Sequence, residues 1–187
     1  MDVNAKNIVR LNLGCGNDIR AGWVNLDHAA LPGVDVVHDV EKLPLPFKDA
    51  SIDSILCGAI LEHVEYIPLL KDLHRILRRG GKLSIRVPHF TSAINYIDPT
   101  HRKLFSVRTF DFFLKNSLYS SRSYYFDFSF SSIERRRIVF DQKGRYRFFI
   151  RHIERIVNKT YRRQMIYEDT FLSRLFPAFN LMVTLVK

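Results

Sequence analysis

The amino-acid sequence predicts an α/β fold built on a doubly wound, mostly parallel β-sheet. Two observations in residues 8–90 support this prediction. Short apolar segments are separated by turns and by one segment with helical spacing, and several of them end in a glycine or an aspartate. Apolar strands joined in this way are typical of parallel sheets whose two faces are both covered by helices.

Five strands are expected in this part of the chain. They are predicted over residues 8–13, 23–27, 34–39, 52–58 and 82–88. Leucines and isoleucines at helical spacing predict a helix over residues 69–79, and Gly80-Gly81 gives it a stop signal.

Length and composition exclude several classes of protein. The chain has 187 residues, 47% of them hydrophobic and 26% charged, which fits a single globular domain. Cys15 and Cys57 offer no disulfide framework, so a reducing cytoplasmic setting is expected. The first ten residues lack the apolar segment of a signal peptide. No apolar run reaches the length of about 18 residues that a membrane span requires.

The second half of the chain has a different composition. Residues 1–90 carry equal numbers of basic and acidic side chains, so the whole net charge of +10 belongs to residues 91–187, which also hold most of the aromatic residues. Alternation of aromatic and polar residues predicts a strand over 125–131. A hairpin is predicted over 138–149, and a last strand over 179–187 at or near a sheet edge.

A ligand of such a sheet is expected beyond the carboxyl ends of its strands. Gly14-Cys15-Gly16 follow the first predicted strand, and glycines let a ligand approach the backbone closely. Asp27 and Asp39 end the second and third strands, and a carboxylate at the second strand end can accept hydrogen bonds from ribose hydroxyls. A dinucleotide is disfavoured because only 11 residues separate Gly16 from Asp27 and because Ile19 replaces the third glycine.

An ordered set of motifs gives the sequence a family resemblance. The motifs are LNLGCGND, GWVNLDH, VVHDVEKLPLPFKDASIDSILCGAILEHVEY and LHRILRRGGKLSIRVPH. Over about residues 8–90 the chain resembles small class I S-adenosylmethionine (SAM)-dependent methyltransferases of the type 11 kind. The resemblance implies a Rossmann-like fold, SAM as cofactor and methyl transfer as activity.

The same resemblance implies a cofactor-binding set. Gly14 and Gly16 would lie against the methionine part of SAM, and Asp27 would bind the ribose hydroxyls. Asp39, with the backbone of Val40, would recognise adenine. The rest of the expected set is Asn12, Cys15, Cys57 and Gly58, with Cys57 and Gly58 near the reacting methyl group.

The sequence also departs from the family pattern. Asn12 stands where an acid is common, and Asp18 stands where a third glycine is expected. Only six residues separate Gly16 from Trp23, so the usual first helix must be very short. These departures keep open an alternative, a non-catalytic protein that binds SAM and acts as a regulatory subunit.

Candidates for catalysis follow the fifth strand. If the acceptor loses a proton, His89 or His101 is expected to act as base, with Asp98 beside His101, in a VPH…DPTH segment that extends the resemblance to about Phe105. A His–Asp pair that only fixes the loop is the alternative. His89, Asp98 and His101 match no strong metal signature, so no metal is expected.

The sequence does not decide whether two residues of the LEHV motif have a functional or a structural role. Helix capping and packing would explain Glu62 and His63 as well as a role in the site would.

The basic second half suggests an anionic partner. Arginine clusters at 134–137, 145–147, 151–155 and 161–163 are either a solvated face or a recognition surface. The favoured acceptor is an anionic small molecule, RNA is the alternative, and contact with an acidic membrane surface is also considered. The whole chain is expected to be one domain, with a SAM-binding half at 8–90, an acceptor-side elaboration at 91–165, and a terminal helix and edge strand at 166–187.

Overall fold

The computed structural model describes residues 8–117, 119 and 124–187. The strands are β1 (Arg10–Leu13), β2 (Val24–Asp27), β3 (Val36–Val37), β4 (Ile52–Gly58), β5 (Leu77–Pro88), β6 (Ser132–Val139) and β7 (Asn180–Val186). The helices are α1 (Tyr66–Ile76), α2 (Ile94–Ile97), α3 (Arg147–Val157), α4 (Tyr161–Asp169) and α5 (Leu172–Leu175), with a 3₁₀ helix at Thr109–Phe113.

The seven strands form one sheet in the order β3-β2-β1-β4-β5-β7-β6. Strands β1 to β5 pair in parallel, whereas β7 is antiparallel to both β5 and β6. This mixed α/β sheet confirms the predicted fold class, a mostly parallel sheet with an antiparallel extension from the second half of the chain.

One face of the sheet is apolar and buried in the core. Neighbouring strands align Leu13, Cys57, Ile85 and Val183 in one row across this face. These side chains lie in the same hydrophobic core as Leu73 of α1. The other face is polar. It carries Asn12, Asn25, Ser84, Arg86, Met182, Thr184 and Arg135. Helices on both faces were expected, but the connections from β1 to β2 and from β2 to β3 contain no helix.

The chain connections explain the polar face. From β1 to β2 to β3, each strand is added nearer to one edge of the sheet, and from β4 to β5 the chain moves toward the other edge. Right-handed crossovers therefore place these two sets of connections on opposite faces. The β4–β5 connection contains α1. The β1–β2 and β2–β3 connections, residues 14–23 and 28–35, are turns and bends with no helix. Because a helical crossover needs about a dozen residues, this face stays without a helical layer.

Three segments differ from their predicted structure. Residues 77–81 belong to β5 rather than to the end of the helix, because the chain pairs with β4 from Leu77 onward. The segment 125–131 forms no strand and makes one isolated bridge, between Phe130 and Leu114. The predicted hairpin at 138–149 is absent, since β6 pairs with β7 and the chain after it enters α3.

The last strand has an interior position. β7 lies between β5 and β6, one strand from the edge, so its predicted position near the edge is correct, although β6 is the edge strand itself. The helix that directly precedes β7, α5, lies within the predicted 166–187 segment, whereas α4 begins before that segment, at Tyr161. Among the described residues, no helix combines the length and the apolar character needed to traverse a bilayer.

Neighbouring residues of β5 provide a test of the one-sided sheet. Ile85 is buried in the core, whereas Ser84 lies on the polar face. Ile85→Ala should lower the free energy of unfolding by about 2–5 kcal/mol. Ser84→Ala should change it by less than about 0.5 kcal/mol, because it empties no packed space. Urea denaturation measures both, and similar losses in the two variants would contradict a sheet with one buried face.

Candidate functional site

A cavity of about 310 Å³ lies at the carboxyl ends of β1, β2 and β4. It brings together four residues of the predicted cofactor set, Gly14, Asp27, Asp39 and Val40. The other lining residues are His28, Glu41, Ala59, Ile60, His63 and Val64. The cavity therefore combines carboxylates from two strand ends with apolar walls.

Asp27 is the anchor of this cavity. Its side chain is buried, with Oδ2 accepting a hydrogen bond from the backbone N–H of Gly16 at 2.8 Å and Oδ1 accepting one from that of Ala29 at 3.0 Å. Burial raises the pKa of Asp27, but the backbone hydrogen bonds from Ala29 and Gly16 outweigh it and leave the pKa below its ordinary value. The carboxylate is thus held ionised, and each oxygen keeps lone-pair capacity for a ligand hydroxyl.

The glycine turn fits closely under the cavity. Gly14 has a φ of +62°, and a Cβ built on it would lie 2.0 Å from Cδ1 of Ile60. Any other residue would therefore strain the backbone and displace Ile60. The Gly16 N–H is directed at Asp27, which ties the turn to the end of β2.

The residues of this cavity fit the adenosine part of SAM. Asp27 offers acceptors for ribose hydroxyls, and Asp39 offers an acceptor for an adenine amino group. Val40, Ile60 and Val64 provide apolar surface for the base.

A second cavity, of about 350 Å³, opens on the polar face of the sheet and shares Gly14 with the first. It contains three of the predicted cofactor residues, Asn12, Cys15 and Gly58. The Asn12 amide donates to the Asp18 carbonyl at 2.7 Å and to Oδ1 of Asn25 at 3.1 Å, so it fixes the β1–β2 loop. These three residues do not join Asp27 and Asp39 in the first cavity.

Contrary to the prediction, Cys57 does not line the cavity near the methyl group. It lies on the core face of β4 and is fully buried. Burial raises the pKa of its thiol far above the ordinary value. The side chain is therefore a small core residue, and the alternation along β4 that places Ile55 in the core places Cys57 there as well.

His89 also departs from its predicted role. Its side chain has no exposed surface, and its two ring nitrogens contact Thr91 Oγ1 at 2.7 Å and Glu168 Oε1 at 3.1 Å. Glu168 in addition accepts a hydrogen bond from the backbone N–H of Val107. His89 thus connects the end of β5 with α4, and an acceptor cannot reach it in this structure.

Asp98 and His101 lie beside the LEHV motif. The Nε2 atom of His101 is 3.6 Å from Oδ2 of Asp98, and the rings of His101 and His63 meet edge to face with centroids 4.6 Å apart. Glu62, buried beside them, has a pKa raised to about 7, chiefly by burial, although nearby Arg86 partly offsets this effect. Since His63 lines the first cavity, this group of residues borders it.

Sequence reasoning did not commit to His63 or Ala59 as site residues. The sequence offered His63 through the LEHV motif, but the motif did not separate function from packing. Ala59 has a φ of +57°, a strained conformation for a residue with a side chain, and no sequence signal marked it. Both lie in the turn after β4, which forms one wall of the cavity.

Comparison with known proteins shows which proteins this chain resembles in sequence and in fold. Residues 13–85 match a family model described as "Methyltransferase domain". An uncharacterized protein of Methanocaldococcus jannaschii is 36% identical over 86 residues, which cover 41% of this chain and 38% of the relative. The match thus spans well under half of that relative's length.

Solved structures share the fold over nearly the whole chain. A SAM-dependent methyltransferase from Archaeoglobus fulgidus superposes with a TM-score of 0.58 at 17% identity, covering 96% of this chain and 86% of that one. A SAM-dependent methyltransferase from Mesorhizobium loti gives a TM-score of 0.52 at 14% identity, covering 96% and 91%.

A third solved structure belongs to a complex. The putative methyltransferase crystallised with the Haloferax volcanii Trm112 methyltransferase activator gives a TM-score of 0.52 at 15% identity, covering 96% of this chain and 82% of that one. The family match and the shared fold imply SAM as the cofactor, as predicted. Residues 13–85 of the chain thus resemble a methyltransferase domain, and the chain shares its fold with class I SAM-dependent methyltransferases.

Proposed function

We propose that this protein transfers the methyl group of SAM to an anionic small-molecule acceptor. The observation that carries the proposal is the cavity in which Asp27 and Asp39 meet at the ends of adjacent strands, inside the segment that matches the methyltransferase domain. The family assignment supports the reaction class. The acceptor, the atom methylated and the roles of single residues are proposals.

The chain's residues hold the cofactor and align the acceptor. SAM supplies a methyl group that is already activated by its sulfonium, so the protein mainly has to position the nucleophile in line with it. Such positioning accounts for up to about 7–11 kcal/mol of the barrier. In this proposal Asp27 and Asp39 fix the adenosine, and the turn after β4 with Ile60 and His63 separates it from water.

The acceptor is placed beside His63 and His101. Of the predicted catalytic residues, His101 and Asp98 border the cofactor cavity, whereas His89 is enclosed in the core. We propose that His101 acts as a general base only if the acceptor loses a proton in the reaction.

Some arginines of the predicted acceptor half are ion-paired with acidic residues, and others are not. Arg136 is ion-paired with Asp111 and stacks on the ring of Tyr161 at 4.1 Å. Arg137 is ion-paired with Glu154 of α3. These two arginines hold β6 to its neighbours.

Arg135 and Arg86 are exposed in the second cavity and form no ion pair with a described residue. They are the arginines that we propose bind the anionic group of the acceptor, because guanidinium groups recognise phosphate and carboxylate.

RNA is the second candidate acceptor, and the polar face of the sheet favours it. Arg20, Arg86 and Arg135 line the cavity on this face, and Trp23 lies beside Arg10 and Arg20. An RNA ligand would show a steep loss of affinity with salt, and Arg86→Gln would reduce that slope by about one. Salt-independent methyl transfer to a small molecule would exclude this candidate.

The reaction itself is tested by incubating the protein with fractionated cell extract and radiolabelled SAM. We expect label in a low-molecular-weight anionic fraction and none with the Asp27→Ala variant. Label in RNA would support the second candidate. SAM binding without transfer to any fraction would instead support a non-catalytic regulatory subunit.

Asp27→Ala should weaken the binding of S-adenosylhomocysteine by about 1.5–3 kcal/mol, the range for hydrogen bonds to a charged group. Isothermal calorimetry measures the affinity, and circular dichroism checks the fold. The matched control is Asp18→Ala, which removes an exposed carboxylate from the glycine loop and should leave binding unchanged. Equal affinity in a folded Asp27→Ala protein would contradict the assigned site.

Arg135→Gln should raise the KM of the acceptor fraction and leave binding of S-adenosylhomocysteine unchanged, because the side chain faces the second cavity. Arg136→Gln should chiefly lower thermal stability, because it breaks the contacts with Asp111 and Tyr161. Acceptor kinetics and thermal melts separate the two outcomes. An unchanged KM for Arg135→Gln at low and moderate salt would show that Arg135 is only solvated.

A further inference from the structure

Three side chains with metal-ligating atoms meet at the border of the cofactor cavity. Glu62 and His63 come from the turn after β4, and His101 comes from the loop after α2. One potential ligand atom from each lies within 4.8 Å of the other two. The sequence did not predict this group, because its members are separated by 38 residues and the considered set contained His89 instead.

Two buried atoms of this group have no hydrogen-bond partner in the described structure. Glu62 is 1% exposed, and its Oε2 atom is unpaired. The His101 side chain is 6% exposed, and its Nδ1 atom is unpaired. Leaving such atoms unpaired in the interior is unfavourable, more so for a charged group, so they require a partner.

The surrounding hydrogen bonds direct histidine lone pairs into the group. The Thr100 hydroxyl donates its proton to Oδ1 of Asp98 at 2.6 Å, so at its 2.8 Å contact with Nδ1 of His63 it can only accept. His63 therefore carries its proton on Nδ1, and Nε2 keeps a lone pair. The Oδ2 atom of Asp98, 3.6 Å from Nε2 of His101, likewise favours a proton on Nε2 and a lone pair on the buried Nδ1.

This is the arrangement that metal sites use to orient their histidines. A ligating histidine commonly directs its other ring N–H to an outer carboxylate or hydroxyl, which fixes its tautomer. Here one carboxylate, Asp98, lies 3.6 Å from the ring of His101 and is connected to His63 by hydrogen bonds through Thr100.

We propose that Glu62, His63 and His101 bind one divalent transition-metal ion, such as Zn²⁺, next to the cofactor cavity. Two imidazole nitrogens and one carboxylate oxygen suit such ions and leave coordination positions open. The site stands on its own geometry. Its role rests on the proposed function: the ion would bind an oxygen of the acceptor beside the methyl group and favour its deprotonated form.

The test measures metal content directly. The full-length protein is treated with a chelator, loaded with Zn²⁺ or Co²⁺, passed through a desalting column and analysed by plasma mass spectrometry. We expect one ion per chain, and with Co²⁺ a visible absorption band from nitrogen ligation. Zn²⁺ should also raise the melting temperature of the wild-type protein.

Variants assign the ligands. Glu62→Gln and His101→Ala should each lower metal affinity at least about tenfold, and Asp98→Asn, a positioning variant, about 10–100-fold. The matched control His152→Ala removes an exposed histidine of α3 and should retain one ion per chain. Circular dichroism identifies any variant that fails to fold. For such a variant, His63→Gln replaces it as the test.

The outcomes separate this site from the proposed function. No retained metal in the wild-type protein, or equal metal content in folded Glu62→Gln and wild type, would overturn the proposal. Binding of S-adenosylhomocysteine by the metal-free protein tests the cofactor site separately, so failure of either assignment leaves the other measurable.

Discussion

The length of two chain connections is the constraint on which the structure depends. Residues 14–23 and 28–35 are too short to form crossover helices. Right-handed connections place both segments on the same face of the sheet, so they add no helical layer to that face. The strands β4, β5 and β7 therefore need only one apolar face, and their residues alternate between core and polar face. All large buried side chains then gather in a single core on the side of α1.

The same short connections shape the cofactor site. With no helix after β1, the glycine turn is held instead by hydrogen bonds to its backbone and loop. Asp27 accepts from Gly16, and the Asn12 amide donates to the carbonyl of Asp18. Asn12 thus holds the loop, while the carboxylate that lines the cavity, Asp27, comes from β2. The turn thus gains rigidity from side chains that a longer helix would have made unnecessary.

The second half of the chain completes the site in two ways. Its antiparallel strands extend the sheet, and some of its large aromatic side chains, such as Phe105 and Phe110, fill the core, whereas others, such as Tyr96, are exposed. Its loop after α2 brings Asp98 and His101 to the turn after β4. The basic side chains are not one functional surface, because Arg136 and Arg137 are held by Asp111 and Glu154, whereas Arg135 is exposed.

The sequence by itself determined the elements whose signals are local. Apolar runs that end in Gly14, Asp27 and Gly58 predicted β1, β2 and β4, and their order with the neighbouring motifs indicated the family, the cofactor and the strand-end position of the site.

Only the tertiary structure decided which strand-end residues share a cavity. Cys57 and Gly58 are adjacent in sequence, yet they point to opposite faces of the sheet, one into the core and one into the second cavity. His89 and His101 were equal candidates in sequence, but contact with Glu168 encloses the first, and packing against His63 places the second at the site. These outcomes depend on contacts between residues far apart in the chain, which local patterns of residue type do not specify.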